Sequence, residues 1–312
     1  MSPMLKDITA YVGQSECYQS SSDLLKKTMK LDLSDNSIHR ICQDLGQESE
    51  KWLEEQRGEE KSKPEVESDE IVYAHADGGM VLTRPSDWKE VKVGRVYKGK
   101  EVLKLSDTRS FIKESWYCFH LGGHKEFERK MSEYLDTYED LKDRLVIIID
   151  GAKWLGDWFS SEYPEALQIL DYYHAVEHFS DFSKVAIHRK EKKKDWLDTI
   201  KVTLLEKGGQ AALKMVEKIE CKTKKKKENK EKLLVYLNNN IHRMDYPKYR
   251  EKGLQIGSGA IEAAHRTLVQ KRCKLSGQRW TPKGVTNIIS LRNLRMNNQW
   301  ERLSKFLGKK AA

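Results

Sequence analysis

The feature that most constrains the fold is an uninterrupted apolar run at residues 145–149, which reads Leu-Val-Ile-Ile-Ile. Such a run, mostly β-branched and without alternation, is typical of a strand buried on both faces of a sheet. It ends on Asp150, which is followed by Gly151 and a segment of helical character. In open α/β sheets, ligands bind at the carboxyl ends of parallel strands. Asp150 is therefore a candidate functional residue, although the same acid could simply cap the following helix.

Further strands are predicted on both sides of this run. Residues 71–84 read as a strand, a Gly-Gly turn and a second strand, and residues 88–97 alternate as a third strand with one wet face. Residues 116–120 form another strand, and residues 166–170 form a buried strand that ends on Asp171. Antiparallel-type strands followed by parallel-type strands and helices indicate a mixed α/β sheet. This order matches the ribonuclease-H-like fold.

A small helical region is predicted before the sheet, at residues 1–57. Two short helices within it, split by a polar turn, could form a DNA-binding helix-turn-helix or could serve packing or dimerisation. Residues 58–70 have the composition of a solvated, acidic linker, and the domain boundary is expected there.

The catalytic domain is expected in two parts, residues 71–174 and residues 253–312, the second of which carries a late helix from Ala260. Ile261, Ala264, Leu268 and Cys273 are predicted to form the buried side of this helix. A basic helical insertion, residues 175–252, is expected between them. The lysine-rich run at residues 222–227 is interpreted as a solvated turn between helices, with DNA contact as the alternative.

The charge and the cysteine content of the chain indicate what kind of partner it binds and in which compartment it works. Lys and Arg together number 57 and Asp and Glu number 48, so the formal net charge is +9. This balance favours a polyanionic partner, and nucleic acid comes before a membrane because no basic amphipathic tail is evident. The five cysteines are scattered without a Cys-x-x-Cys pair, which argues against a zinc ribbon or a disulfide framework. Without a signal-peptide core or a membrane-spanning apolar run, we expect a cytoplasmic protein with no membrane partner.

Three acids are placed where they could act together. Asp77 follows the first predicted strand, Asp150 follows a central one, and Glu262 lies in the late helix. In a ribonuclease-H-like sheet the first strand lies beside the later parallel strand, so both aspartates would meet at one edge. A helix packed across that edge can deliver the third carboxylate. Three neighbouring carboxylates repel one another unless a cation neutralises them, and hard oxygen ligands suit Mg²⁺ or Mn²⁺.

Two such ions can activate the attacking oxygen and stabilise the leaving oxygen in phosphodiester transfer. The alternative is that the three acids are unrelated surface or capping residues, since a chain with 48 acids offers many triples.

A set of motifs occurs in a fixed order along the chain. The set consists of Asp77-Gly-Gly, Trp88-Lys-Glu-Val-Lys-Val-Gly, Asp150-Gly-Ala-Lys-Trp, Leu170-Asp-Tyr-Tyr-His-Ala-Val-Glu-His, Ile256-Gly-Ser-Gly-Ala-Ile-Glu and Lys271-Arg-Cys-Lys-Leu-Ser-Gly-Gln-Arg-Trp. Over about residues 20–305, this set resembles the DDE transposases of bacterial insertion sequences in the Mutator-like group. The ISKra-type branch is the most similar, and the Lre branch is a relative.

The resemblance implies metal-dependent cleavage of DNA at transposon ends and transfer of the freed 3′-OH into target DNA. It assigns both catalysis and metal binding to Asp77, Asp150 and Glu262, with Mg²⁺ or Mn²⁺, two ions, as the cofactor. It implies double-stranded DNA as partner, in the form of terminal repeats and target. It also implies a homo-oligomer in a bacterial cytoplasm, associated with the nucleoid.

The resemblance gives Asp171 and His174 the place of a Cys-or-Asp-x-x-His signature beside the active site. There they could position a phosphate or orient a water, or instead pin the insertion to the sheet. Further candidates for DNA contact or auxiliary roles are Lys153, Arg266, Lys271, Arg272, Lys274, Arg279 and Trp280. Trp280 could stack on an unpaired base or lie in the core.

One departure concerns the N-terminus. Members of this family usually carry a longer N-terminal region, often with cysteine-rich knuckles, so we expect an N-terminally short copy. Two alternatives to an active transposase follow: a truncated, catalytically silent DNA-binding derivative, and a structure-selective ribonuclease-H-like nuclease.

Overall fold

The structure is a computed structural model that describes residues 1–56, 67, 70–85, 87–106, 109–138 and 140–311. The fold is mixed α/β, with N-terminal helices, a five-stranded mixed sheet and a large helical C-terminal region. At this level the predicted mixed sheet with preceding and following helices is confirmed. Most of the expected linker at 58–70 lies outside the described residues.

The N-terminal region contains three helices, α1 (Pro3–Gly13), α2 (Tyr18–Met29) and α3 (Asp35–Glu55). Helices α1 and α3 each begin after a serine whose hydroxyl accepts a backbone N–H of the first turn, which satisfies a donor that the helix itself cannot pair. The buried face of α3 consists of Ile38, Ile41, Cys42, Leu45, Gly46, Ser49 and Trp52. Of the roles considered for these helices, packing is therefore observed, and DNA contact stays a prediction.

The strands of the described chain are β1 (Val72–Thr83), β2 (Asp87–Lys98), β3 (Val102–Ser106), β4 (Arg109–Ile112), β5 (Trp116–Leu121), β6 (Leu145–Ile149) and β7 (Leu167–Leu170). Five of them form one sheet in the order β5-β2-β1-β6-β7, and β3 and β4 form a separate two-stranded sheet. Strand β6 runs parallel to β1 and to β7, while β2 and β5 are antiparallel. All residues of β6 are buried, which confirms the strand predicted from its apolar run.

The later helices alternate with the parallel strands and then follow them. They are α4 (His124–Leu135), α5 (Lys153–Glu162), α6 (Tyr172–Ala186), α7 (Lys190–Glu217), α8 (Lys224–Asn240), α9 (Tyr246–Glu251), α10 (Gly259–His265), α11 (Lys271–Cys273), α12 (Pro282–Met296) and α13 (Trp300–Ala311). A π-helical turn, Arg266–Gln270, lies between α10 and α11. The run 222–227 was predicted as a turn, but α8 begins inside it after a cap by Thr223.

The predicted hairpin turn at Gly78 and Gly79 is wrong, because both glycines lie inside the continuous strand β1. Without side chains, these two glycines let Glu90 and His265 approach the backbone of β1 closely. A Cβ at Gly78 would overlap the Glu90 carboxylate, and one at Gly79 would lie 2.9 Å from two ring atoms of His265. The turn comes later, between β1 and β2, and includes a cis peptide bond before Pro85. Two adjacent glycines in the sequence indicated a turn. In the structure they lie where the side chains of other elements pack directly against the backbone of β1.

The chain divides into two compact units. Unit 1 consists of Met1–Glu70, Ala76–Asp140 and Ile261–Ala312, and unit 2 consists of Ile71–His75 and Leu141–Ala260. The division falls within β1 and within α10. The domain boundaries expected from the sequence remain a prediction.

Unit 1 has a continuous hydrophobic core to which its N-terminal helices, strands and C-terminal helices all contribute. Its members include Leu25, Ile38, Val81, Val93, Phe119, Leu268, Trp280, Ile288 and Leu291. In unit 2, the buried apolar residues include Ile147, Ile149, Phe159, Ile169, Phe179, Leu204 and Leu237. Helix α7 of this unit is interrupted at Gly208, whose φ of 75° is one that glycine adopts readily.

Candidate functional site

Asp77 lies in β1, within unit 1. One oxygen of its carboxylate, Oδ1, accepts the N–H of Gly78 at 2.6 Å, and the side chain remains 35% exposed. The two glycines that follow leave space beside it for Glu90 and for His265. Because about a third of the Asp77 side chain is exposed, its carboxylate can be reached by a ligand.

His265, at the end of α10, contacts Asp77 directly. Its Nε2 lies 3.1 Å from the carbonyl oxygen of Asp77 and 3.5 Å from Oδ2 of the same residue. Because a carbonyl oxygen only accepts, Nε2 carries the proton and donates it. Burial lowers the pKa of His265, and the negative charge of Asp77 opposes this change in part.

Glu262 precedes His265 by three residues on α10, so both side chains lie on neighbouring positions of one helix face. Glu262 is exposed, whereas the predicted inward positions of this segment, Ile261, Ala264, Leu268 and Cys273, are all buried in the core of unit 1. The structure therefore brings the Glu262 helix to Asp77 through His265. The π-helical turn follows immediately, and π-turns are frequent at functional sites.

The predicted DNA-contact residues of unit 1 separate into two groups by burial. Four basic residues are exposed, namely Arg266, Lys271, Lys274 and Arg279. They remain candidates for phosphate contact.

Arg272 and Trp280 belong to the other group. The Arg272 side chain is fully buried, its Nε donates to the carbonyl of Gly13 at 3.1 Å, and its guanidinium lies 4.3 Å from the ring centre of Tyr18 and 4.9 Å from that of Trp280. Arg272 has no exposed surface for a phosphate, so we withdraw it from the DNA-contact residues. Trp280 is buried in the core, which is the second of its two expected roles.

Asp150, in unit 2, directly follows β6. Its Oδ1 accepts the N–H of Ala152 at 2.9 Å in the turn before α5. The N-cap residue of α5 is Ala152, and no side chain caps this helix, so the capping role considered for Asp150 is not observed. The hydroxyl of Tyr236 donates to the carbonyl of Asp150 at 3.2 Å. Gly151 has a φ of 93°, and a Cβ there would lie 3.1 Å from Leu170 and from Tyr236. The turn at Asp150 is thus fixed by hydrogen bonds to both the backbone and the side chain of this residue. The hydrogen bond from Ala152 uses one carboxylate oxygen of Asp150 and does not prevent ligand binding by the other.

Asp171 caps α6 and also reaches a distant loop. Its carboxylate accepts the N–H groups of Tyr173 and His174 and, at 2.7 Å, the hydroxyl of Ser258. Burial raises the pKa of Asp171, and these hydrogen bonds oppose the rise. The contact with Ser258 ties the Gly-Ser-Gly segment before α10 to the end of β7. The expected alternative, a pair of Asp171 and His174 that holds the insertion to the sheet, is not this contact, and contact of Asp171 with DNA stays a prediction.

His174 is half-buried on the first turn of α6, 3.6 Å from the carboxylate of Glu177. One turn later, His178 stacks on the ring of Tyr236 with centroids 3.8 Å apart. Lys153, on α5, is exposed and forms an ion pair with Asp157. Its expected contact with DNA remains a prediction.

Carboxylate oxygens are suitable donors for Mg²⁺ or Mn²⁺, because an ionised carboxylate offers two oxygens with several lone pairs. Among the described residues, however, no group of three or more His, Cys, Asp and Glu side chains is arranged to hold a metal ion. The metal ions therefore remain a proposal.

The sequence matches no protein-family model, and no curated protein matches it either. None of the described helices is both long and apolar enough to cross a membrane. All five cysteines are free thiols.

Sequence reasoning missed three residues that shape these sites: His265, Ser258 and Tyr236. His265 had a usable signal, since it follows Glu262 by three residues on a predicted helix. Ser258 and Tyr236 had none, because their partners Asp171 and Asp150 lie 87 and 86 residues away.

Proposed function

We propose that this protein is a DNA transposase that hydrolyses phosphodiester bonds at transposon ends and joins the freed 3′-OH to target DNA. The fold assigned under this proposal is ribonuclease-H-like, with a basic helical insertion. The observation that carries the proposal is the contact between Asp77 and His265, which draws the helix of Glu262 to the strand of Asp77 across 188 residues.

The register of the sheet supports the same assignment. Strands β1 and β6 are parallel neighbours, and His75 pairs with Ile148. Asp150 directly follows β6, at the carboxyl side where ligands of parallel sheets bind, and Asp77 lies within β1, two residues after His75.

In the first step, water attacks the phosphorus at the transposon end, the bond from phosphorus to O3′ breaks, and a 3′-OH is released. In the second step, this hydroxyl attacks a target phosphodiester, so that one P–O bond forms while one breaks and the proton leaves with the departing oxygen. Asp77, Asp150 and Glu262 would hold Mg²⁺ or Mn²⁺, two ions, which supply charge stabilisation of the attacking and leaving oxygens. Arg266, Lys271, Lys274 and Arg279 would hold phosphates and position the strand. Double-stranded DNA is the proposed partner, and self-association on paired ends is part of the proposal.

The test is a cleavage and strand-transfer assay with the purified protein and DNA from both ends of the element that encodes it. We expect cutting in Mg²⁺ or Mn²⁺, none after chelation, and loss by about 100-fold or more in Asp77→Asn, Asp150→Asn and Glu262→Gln. Asp157→Asn serves as the matched control, because this exposed acid forms an ion pair with Lys153 on the surface of α5 and is not one of the proposed metal-binding residues.

Three results would contradict the proposal in different ways. Cutting that persists in all three variants would remove the triad. DNA binding without any cutting would favour the silent DNA-binding derivative. Cutting of branched or hybrid substrates without end joining would favour a structure-selective nuclease on the same fold.

A further inference from the structure

The β3–β4 hairpin of unit 1 exposes apolar side chains on a sheet of its own. Leu103 and Phe111 are paired directly across the two strands and therefore share a face. Leu103 is 38% exposed, Phe111 is 54% exposed, and Leu105, two residues further along β3, is 59% exposed. A two-stranded hairpin has marginal stability by itself, so apolar groups on it that remain open to solvent indicate a surface for a partner.

The charges on the same hairpin specify the chemistry of that partner. Lys104, Arg109 and Lys113 are exposed among the apolar residues. The whole segment between β2 and β5, residues 99–115, carries four Lys and Arg residues against three acids, Glu101, Asp107 and Glu114. Basic side chains interleaved with an aromatic residue are the pattern of a surface that binds nucleic acid. A two-fold contact between copies of the hairpin would instead bring these cations against one another, which is unfavourable.

The shape of the apolar side chains specifies the form of the nucleic acid. Bases of an intact duplex are already stacked and offer little apolar surface, whereas an unpaired base exposes a π-face that a phenyl ring can cover. Apolar side chains of this kind are also used as wedges between partly unstacked base steps.

We propose that the hairpin formed by β3 and β4 binds DNA whose bases are unpaired or partly unstacked. Lys104, Arg109 and Lys113 contact phosphates, and Phe111, together with Leu105, packs against exposed bases. The inference rests on the proposed function only in taking DNA as the substrate, since it concerns binding and not cleavage.

The experiment measures binding of the full-length protein, in a chelator so that no cutting occurs, to two labelled DNAs of about 20 base pairs. One is a fully paired duplex and the other carries an internal mismatch bubble. We expect the wild type to prefer the bubble, and Phe111→Ser and Leu105→Ser to weaken binding to the bubble by about tenfold with little change for the duplex. Val202→Ser, at an exposed apolar residue on α7 of unit 2, is the control and should keep the preference.

Each other outcome overturns the inference. If both hairpin variants bind the two DNAs as the wild type does, the hairpin is not a DNA contact, while cleavage by the wild type would leave the proposed function intact. If the variants change the oligomeric state by light scattering and leave DNA affinity unchanged, the surface binds a second copy. If the wild type binds neither DNA, both this inference and the proposed function fail.

Discussion

The ring of His265 occupies space beside β1 that exists only because residue 79 is a glycine. Two ring atoms lie 2.9 Å from the position of a Cβ at Gly79, and Nε2 donates to the carbonyl of Asp77. His265 is itself buried and cannot easily move aside. At this point a single missing side chain decides whether the Glu262 helix can approach Asp77.

We therefore expect Gly79→Ala to lower the free energy of unfolding by about 1–3 kcal/mol, because the methyl group overpacks the contact. Urea denaturation followed by tryptophan fluorescence measures the change. The double variant Gly79→Ala/His265→Ala should show a smaller loss than the sum of the two single variants, since removing the ring removes the clash. Gly123→Ala is the control, because a Cβ there meets nothing within 4 Å. Additive losses in the double variant would contradict this account.

A second residue, His178, makes the stability of the fold depend on pH. Burial, and then the charge of His174, lower its pKa below the ordinary value of 6.5, while Asp181 and Asp150 oppose this change. Below about pH 6.5 the unfolded chain takes up a proton that the folded chain resists, so stability present at higher pH is lost as the pH falls.

The variant His178→Phe keeps a ring against Tyr236 but cannot be protonated. Between about pH 7.5 and about pH 5.5 we expect its free energy of unfolding to fall less than that of the wild type. Urea midpoints across this range measure the difference. Parallel pH profiles for the two proteins would show that His178 does not contribute to the loss.

At the scale of elements, Asp171 joins the start of α6 to the segment that precedes α10. Its carboxylate accepts from two backbone N–H groups of α6 and from both the N–H and the hydroxyl of Ser258. One buried side chain thus satisfies donors from two parts of unit 2.

Replacing Asp171 by Ala should cost about 1–3 kcal/mol, because it leaves buried donors without an acceptor and removes a helix cap. Asp171→Asn should cost less, since one oxygen remains. The control is Asp181→Asn on the same helix, whose exposed ion pair with Lys184 is worth at most about 1 kcal/mol. Thermal unfolding of the three variants tests the order. Equal effects of Asp171→Ala and Asp181→Asn would refute the linking role.

At the scale of the whole molecule, the basic residues behind the net charge of +9 differ in burial and therefore in function. Lys271 is exposed, whereas its neighbour Arg272 is buried between two aromatic rings and holds the end of α1 to the C-terminal helices of unit 1. Adjacent basic residues therefore contribute to different properties. One adds to the field that attracts a polyanion, and the other stabilises the fold.

The variants Lys271→Ala and Arg272→Ala separate these contributions. Lys271→Ala should reduce the slope of log affinity for DNA against log salt by about 1 with little change in stability. Arg272→Ala should lower the free energy of unfolding by about 2–5 kcal/mol through lost packing, with no change in the slope where the protein remains folded. Salt titrations and urea denaturation measure the two quantities. A reduced salt slope for Arg272→Ala would restore it as a DNA-contact residue.

Local pattern alone was sufficient for much of the architecture. The apolar run of β6, the strands β2 and β5 and the buried positions Ile261, Ala264 and Leu268 were all predictable, because periodicity and residue type act over a few neighbouring residues. The candidate acids Asp77, Asp150 and Glu262 were also chosen from the sequence, and their joint action stays a prediction.

Tertiary structure decided what depends on residues far apart in the chain. The glycines of β1 read locally as a turn, yet their function is to admit Glu90 and His265. Arg272 read locally as a surface cation, yet Tyr18 and Trp280 enclose it. A local pattern determines which segments can be strands or helices, but burial and close approach depend on partners brought together only when the chain has folded.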